Sequence, residues 1–180
     1  FEPAGIDEAY LDVSSRATFE ATRDLARELQ ARIRGQEGLS ASVGLGHNKL
    51  VAKIASDHKK PGGLTAVIPS RVQEFLDPKG VGILRGVGPK TKEFLLSLGY
   101  ETVAQLRGAS REFLFHEFGK FGLYLYDEAR GIDDRVLDPS WDAKSIGREV
   151  TFETDTADAA LVKETLFECV AEAHREMVSE

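Results

Sequence analysis

Apolar and polar positions alternate along the first stretch of the chain and then settle into a helical period. Ile6 to Val13 mixes carboxylates with apolar residues and ends at Ser14-Ser15, which predicts a turn and then a short strand with Asp7 and Glu8 at its start. Thr18 to Arg34 carries Ala21, Leu25, Leu29 and Ile33 at helical spacing and meets Gly35, predicting a helix that stops there. Ser40 to Leu45 alternates again, as a strand with Ala41, Val43 and Leu45 toward a core. Asn48 can cap a helix running to about His58, with Leu50, Val51, Ile54 and Ala55 inward and Lys49 and Lys53 one turn apart on another face. Pro61-Gly62-Gly63 ends it, and Leu64 to Ile68 reads as a further strand before Pro69. This alternation predicts a sheet covered by helices on at least one face.

From Ser70 the pattern turns helical, opening on a candidate capping box of Ser70 and Gln73 and punctuated by glycines from Gly80 to Gly131. A second domain is expected to begin there. Asp133 to Ala143 has Pro139, several charges and no apolar period, and reads as a linker. Lys144 to Thr154 predicts a strand. A helix follows from about Ala157, with Leu161, Val162, Leu166, Val170, Ala173 and Met177 inward. Glu164, Glu168, Glu172, Glu176 and Glu180 recur on its other side as a solvated face.

Composition narrows the class. The 180 residues suffice for one or two domains, and the apolar share of 42% is that of a soluble globular chain. No apolar run approaches the ~18 residues of a membrane span, so no membrane partner is expected. A lone Cys169 excludes an intrachain disulfide, fits a reducing cytoplasm, and sits in an apolar helical stretch as an inert core thiol. The chain opens at Phe1 without a methionine, so a fragment or processed product is expected. A formal net charge of −7 argues at first against nucleic acid. From Glu149 onward, however, nine acidic residues face only Lys163 and Arg175, which accounts for the whole deficit and leaves residues 1–148 neutral.

Three groups of residues could carry chemistry. Asp7 and Glu8 offer hard carboxylate oxygens suited to magnesium, and two such ions can activate an attacking hydroxyl and stabilise a leaving phosphate; an Asp-Glu pair is also common on plain surfaces. Lys49, Lys53, Lys59 and Lys60 form a basic helix running into a basic turn. They could hold a triphosphate or a DNA backbone, or simply face solvent. Gly86-Val87-Gly88-Pro89-Lys90-Thr91 lies between apolar Ile83-Leu84 and Phe94-Leu95, with Lys92 adding charge. Two glycines permit a tight turn, Pro89 suits a helix start, and the free amides there can grip a phosphate. The pattern resembles a helix-hairpin-helix, and Phe118-Gly119-Lys120-Phe121-Gly122 reads as a looser second copy or as core.

The order of these elements resembles the Y-family (DinB-like) translesion DNA polymerases. Phe1-Glu2-Pro3-Ala4-Gly5-Ile6-Asp7-Glu8-Ala9-Tyr10-Leu11-Asp12 is similar to the palm motif that holds the catalytic Asp-Glu pair. Ser42 to Ser56, running on to Lys60-Pro61-Gly62-Gly63-Leu64, resembles the second palm signature. Gly86 to Leu98 is similar to the thumb hairpin, and Lys144 to Glu149 to the start of the little finger. Two positions depart from the pattern: Gly5 stands where a serine is usual, and Lys92 where a small residue often lies.

The resemblance implies an α+β fold with a partial palm at 1–69, a helical thumb with a helix-hairpin-helix at 70–134, and a linker with the start of an α/β little finger at 135–180. It implies template-directed DNA synthesis across damaged bases in the cytoplasm. Asp7 and Glu8 would be the catalytic, metal-binding pair for two Mg2+ ions, Lys60 would contact the incoming deoxynucleoside triphosphate, and Gly86, Gly88, Lys90 and Thr91 would hold primer-template DNA. A sliding clamp is a further candidate partner. The family's first palm strand with another metal-binding Asp, its fingers and its aromatic steric gate are expected before Phe1, so the chain alone is expected to be inactive. Two rival readings stand beside this one: a non-catalytic, sequence-independent DNA-binding module, and a truncated remnant that neither binds nor catalyses.

Overall fold

The computed structural model describes residues 1–16, 18–140 and 145–179. It divides into two units, Phe1–Asp138 and Pro139–Glu180.

In the first unit, strands β1 (Glu2–Pro3) and β2 (Ala9–Tyr10) pair antiparallel, Glu2 opposite Tyr10. Helix α1 spans Phe19–Glu37, started by Thr18, whose side chain accepts the Ala21 amide. It passes through Gly35, the expected stop, and ends at Gly38 with φ 70°. A glycine inside a helix costs only about 1 kcal/mol, and here Gln36 and Glu37, which favour helix, and Gly38, which supplies the left-handed cap, offset it.

Strand β3 (Val43–Leu45), helix α2 (Lys49–His58) and strand β4 (Leu64–Ala66) form a parallel βαβ unit, with Val43 opposite Leu64. Gly44 sets its tightness: a Cβ there would lie 2.0 Å from the Ala52 carbonyl oxygen, so the strand backbone rests directly on the helix. Leu50, Val51, Ile54 and Ala55 are buried as the spacing predicts. Their core is continuous with Leu76, Leu84, Leu95, Leu106, Leu114 and Leu125.

The helical part comprises α3 (Val72–Leu76), α4 (Pro89–Ser97), α5 (Val103–Arg107), α6 (Arg111–Phe118) and α7 (Lys120–Glu128). The capping box expected at Ser70 and Gln73 does not form. Ser70 lies in a 3-10 turn, Pro69–Arg71, and the Gln73 amide instead donates to the Arg130 carbonyl at 2.6 Å. A capping box does form at Thr102 and Gln105, opening α5.

In the second unit, helix α8 spans Ala159–Ser179, and Asp158 accepts the Ala160 and Leu161 amides at its start. Two expectations fail here. Residues 145–154 carry no strand, because among the described residues no neighbouring chain pairs with them; Lys144 lies outside the described residues. Leu161, Val162, Leu166, Val170 and Met177 are exposed, since an apolar period marks a face without supplying what covers it. Glu172 and Glu176 of the expected solvated row pair with Arg148, while Glu180 lies outside the described residues. Small sheets within a helix-rich chain make the fold α+β. Among the described residues, no helix is long and apolar enough to cross a membrane.

Candidate functional site

The β1–β2 hairpin closes through the Ala4 amide, which donates to the Glu8 carbonyl at 2.8 Å, and Gly5, Ile6 and Asp7 form the bend between the strands. Asp7 is therefore presented on a turn, and its carboxylate takes no hydrogen bond or ion pair from the described residues. Glu8 comes just before β2 and faces α2, where the Lys53 ammonium donates to its Oε1.

Lys53 and Asp57 stand one turn apart on α2, with Nζ and Oδ2 3.5 Å from each other. Lys60, beyond the helix end and joined to Pro61 by a cis peptide bond, places its Nζ 2.6 Å from Asp57 Oδ1 and 3.9 Å from Glu8 Oε1. The structure thus brings Glu8 and Lys60 together and adds Lys53 and Asp57 between them. Burial draws the Lys53 ammonium down, but Glu8 and Asp57 outweigh it and hold its pKa raised. For Asp57 burial pushes upward, and Lys60 and Lys53 overcome it, keeping the carboxyl low. The i,i+4 and i,i+3 spacings of Lys53, Asp57 and Lys60 are visible in the sequence; that they meet Glu8 is not.

Lys49 corrects both readings of the basic helix, for it neither faces solvent nor points to a ligand. It is buried, with Nζ 2.6 and 2.7 Å from the two Glu2 carboxylate oxygens, 3.3 Å from the Val136 carbonyl and 5.3 Å from the centre of the Tyr10 ring. Glu2 also accepts the Asp138 amide at 2.7 Å. The start of α2 is held from the same side. Asn48 accepts the Val51 amide and donates to the Gly131 carbonyl, and Asp133 accepts the Leu50 amide at 2.9 Å while Arg135 grips it twice at 2.7 Å. The chain from Asp133, where the sequence predicts a linker, therefore fastens the helix that carries Lys53 and Asp57.

Can these residues hold a divalent cation? Their oxygens are hard donors of the kind that suit magnesium. Asp7 is open, and Glu8 would have to leave Lys53 to join it. Among the described residues, no three or more His, Cys, Asp or Glu side chains cluster to hold a metal. The pair fits as part of a donor set, not as the whole of one.

The second group of expected residues forms one turn. A 3-10 segment, Val81–Ile83, leads to buried Leu84; Gly86 adopts φ 79°, and Gly88 precedes Pro89 at the first position of α4. No side chain caps α4, which leaves its first amides available, with Lys90 exposed and Thr91 half-buried beside them. A Cβ on Gly88 would meet nothing within 4 Å, so the backbone there is open to close approach.

Glu128, which sequence reasoning did not single out, holds this turn from behind. Its carboxylate accepts the Arg85 amide at 3.0 Å and lies 3.4 Å from Arg85 Nε. Burial raises its pKa despite the Arg85 charge. The turn at Gly119, between α6 and α7, packs alongside through Phe121, which touches Gly86, and Phe118, whose ring centre is 5.4 Å from that of Phe94. No hydrogen bond or ion pair among the described residues joins this turn to the Glu8–Lys60 group.

Comparison with known proteins bears on the chain as a whole. Residues 1–57 match the impB/mucB/samB family. The chain is 46% identical over 153 residues to a DNA polymerase IV of Desulfatibacillum aliphaticivorans, covering 84% of this chain and 39% of that protein. It is 39% identical over 178 residues to a DNA polymerase IV of Listeria monocytogenes serotype 4b (strain CLIP80459), covering 98% of this chain and 50% of that protein. Among solved structures, a Y-family DNA polymerase chimera, Dbh-Dpo4(243-245)-Dbh, superposes with a TM-score of 0.86 at 32% identity, over 97% of this chain and 51% of that one. The chain spans about half or less of the length of these relatives. On these matches the chain belongs to the DinB-like Y-family of DNA polymerases.

Proposed function

We propose that this chain is part of a translesion DNA polymerase, with palm residues at 1–69, a helix-hairpin-helix thumb at 70–134 and the linker and beginning of a little finger at 135–180. The observation that carries the reading is the approach of Lys60 to Glu8, 3.9 Å between Nζ and Oε1, from positions 52 residues apart in the chain. A carboxylate for a cation and an ammonium for a phosphate thereby share one surface.

In this reading Asp7 and Glu8 contribute oxygens to two magnesium ions, which when bound lower the pKa of the primer hydroxyl and neutralise charge on the transferring phosphate. Lys60 binds the triphosphate of the incoming deoxynucleotide as a point charge. Gly86 supplies the left-handed residue of the turn, Gly88 lets the α4 start approach a DNA strand closely, and Lys90, Thr91 and the free amides hold its phosphates without reading sequence. The protein works in the cytoplasm, where its DNA lies.

A second reading, a non-catalytic and sequence-independent DNA-binding module, draws on the engagement of Glu8 by Lys53. Magnesium-dependent primer extension past a template abasic site separates the two. The full-length polymerase carrying this segment is expected to extend the primer, and its Asp7→Asn, Glu8→Gln variant is not. Duplex binding without extension by the full-length protein overturns the enzyme reading in favour of the module.

A further inference from the structure

Glu8, Lys53, Asp57 and Lys60 make a neutral quartet of two carboxylates and two ammonium groups. Substrate binding at this site needs one group of each sign: Glu8 for a divalent cation and Lys60 for a phosphate. The pair left behind, Lys53 and Asp57, is also neutral, and its members are already 3.5 Å apart on successive turns of α2. Neither needs backbone movement to meet the other.

Resting on the polymerase reading above, we propose that Lys53 and Asp57 are positioning residues that act as a counter-ion relay. In the resting protein Lys53 neutralises Glu8 and Asp57 aims Lys60. When Glu8 turns to a cation, Lys53 passes to Asp57, and Lys60, released from Asp57, turns to the triphosphate. No charge in this cluster, whose side chains are 38–52% exposed, is left without a counter-ion at any stage, and the exchange costs little because each pair is only partly shielded from solvent. Asp57 touches no reacting atom in this scheme. It supplies the place to which Lys53 goes.

The relay makes two variants act in opposite directions on cation affinity, which a merely structural role does not. In the full-length polymerase, without DNA or nucleotide, Mn2+ binding is followed by the electron paramagnetic resonance of the free ion. Lys53→Met frees Glu8 and tightens the Glu8-dependent site by about threefold to tenfold, the range of a partly exposed ion pair. Asp57→Asn leaves Lys53 with Glu8 alone and weakens the site by a similar factor. In primer extension Asp57→Asn raises KM for the deoxynucleotide by about tenfold while kcat changes by less than about threefold, and Asp57→Glu recovers much of both losses. Weakened Mn2+ binding in both variants, or an unchanged KM in Asp57→Asn, overturns the relay while leaving the polymerase reading in place. A wild-type protein with no Mn2+ site sensitive to Glu8→Gln removes the active-site reading itself, and the relay with it.

Discussion

The Phe121 ring occupies the space that a side chain on Gly86 would need: its Cε2 lies 2.8 Å and its Cζ 3.1 Å from the position of a Cβ there. Gly86 also has φ 79°, a conformation that L side chains rarely adopt. Two glycine turns far apart in sequence are thereby pressed together, and Phe121 is the contact between them.

Gly86→Ala is therefore expected to destabilise the fold by about 2 kcal/mol or more, through backbone strain and displacement of the Phe121 ring together. Gly88→Ala, with open space around it, is expected to cost under about 1 kcal/mol while still weakening DNA binding by obstructing the α4 start. Urea unfolding of both variants, beside duplex binding, checks the separation.

The Lys49–Glu2 pair is held from water, with side chains 9% and 16% exposed. Lys49→Met leaves the half-buried Glu2 carboxylate without its ammonium partner and is expected to destabilise the fold. Glu2→Gln combined with Lys49→Met is expected to recover most of that loss. A double-mutant cycle in urea that gives no coupling would show the pair to be energetically idle.

Glu128 is expected to make stability fall as pH rises. Its folded pKa is raised above the ordinary 4.5 by burial, so the folded chain binds its proton more tightly than the unfolded chain does. The stability it contributes is full below 4.5 and is lost as pH climbs through the raised folded value. Glu128→Gln, which keeps an acceptor for the Arg85 amide, is expected to be more stable than wild type at about pH 8, with the advantage shrinking toward about pH 4.5. Glu128→Ala removes the acceptor and is expected to cost about 1–3 kcal/mol. Thermal melts across this pH range test both.

Lys90 is expected to act on DNA only through charge. Lys90→Ala should reduce the slope of log affinity against log salt by about one and weaken all duplex sequences alike. Lys60→Ala should leave that slope unchanged and raise KM for the nucleotide. A sequence-dependent loss with Lys90→Ala would place that residue against base edges instead.

Much of the local structure was legible in the residues. Asn48 caps α2 because a cap joins groups three residues apart, and Pro89 opens α4 because its ring and missing N–H suit that position. Buried Leu50, Val51, Ile54 and Ala55 followed from helical period alone. The failures have a common origin. Gly35 predicts a stop because its local cost is real, and Gly38 three residues on supplies a better one. The period of α8 marked an apolar face correctly and said nothing of whether chain would cover it.

The candidate site divides along the same line. The sequence by itself offered groups able to bind a cation, a phosphate or a DNA strand, namely the carboxylates of Asp7 and Glu8, the lysines Lys49, Lys53, Lys59 and Lys60 and the glycine turn before Lys90, because donor chemistry and local backbone freedom belong to the residues themselves. Among those lysines, the family resemblance alone singled out Lys60. Only the tertiary structure decided that Lys53 meets Glu8 and Lys49 meets Glu2, that Asp133 fastens the start of α2, and that Phe121 lies on Gly86. Along the chain one lysine of α2 is much like another. Which of them is buried, and against which carboxylate, depends on how the β1–β2 hairpin and the chain after Gly131 pack on that helix, and such long-range packing leaves no period in the sequence.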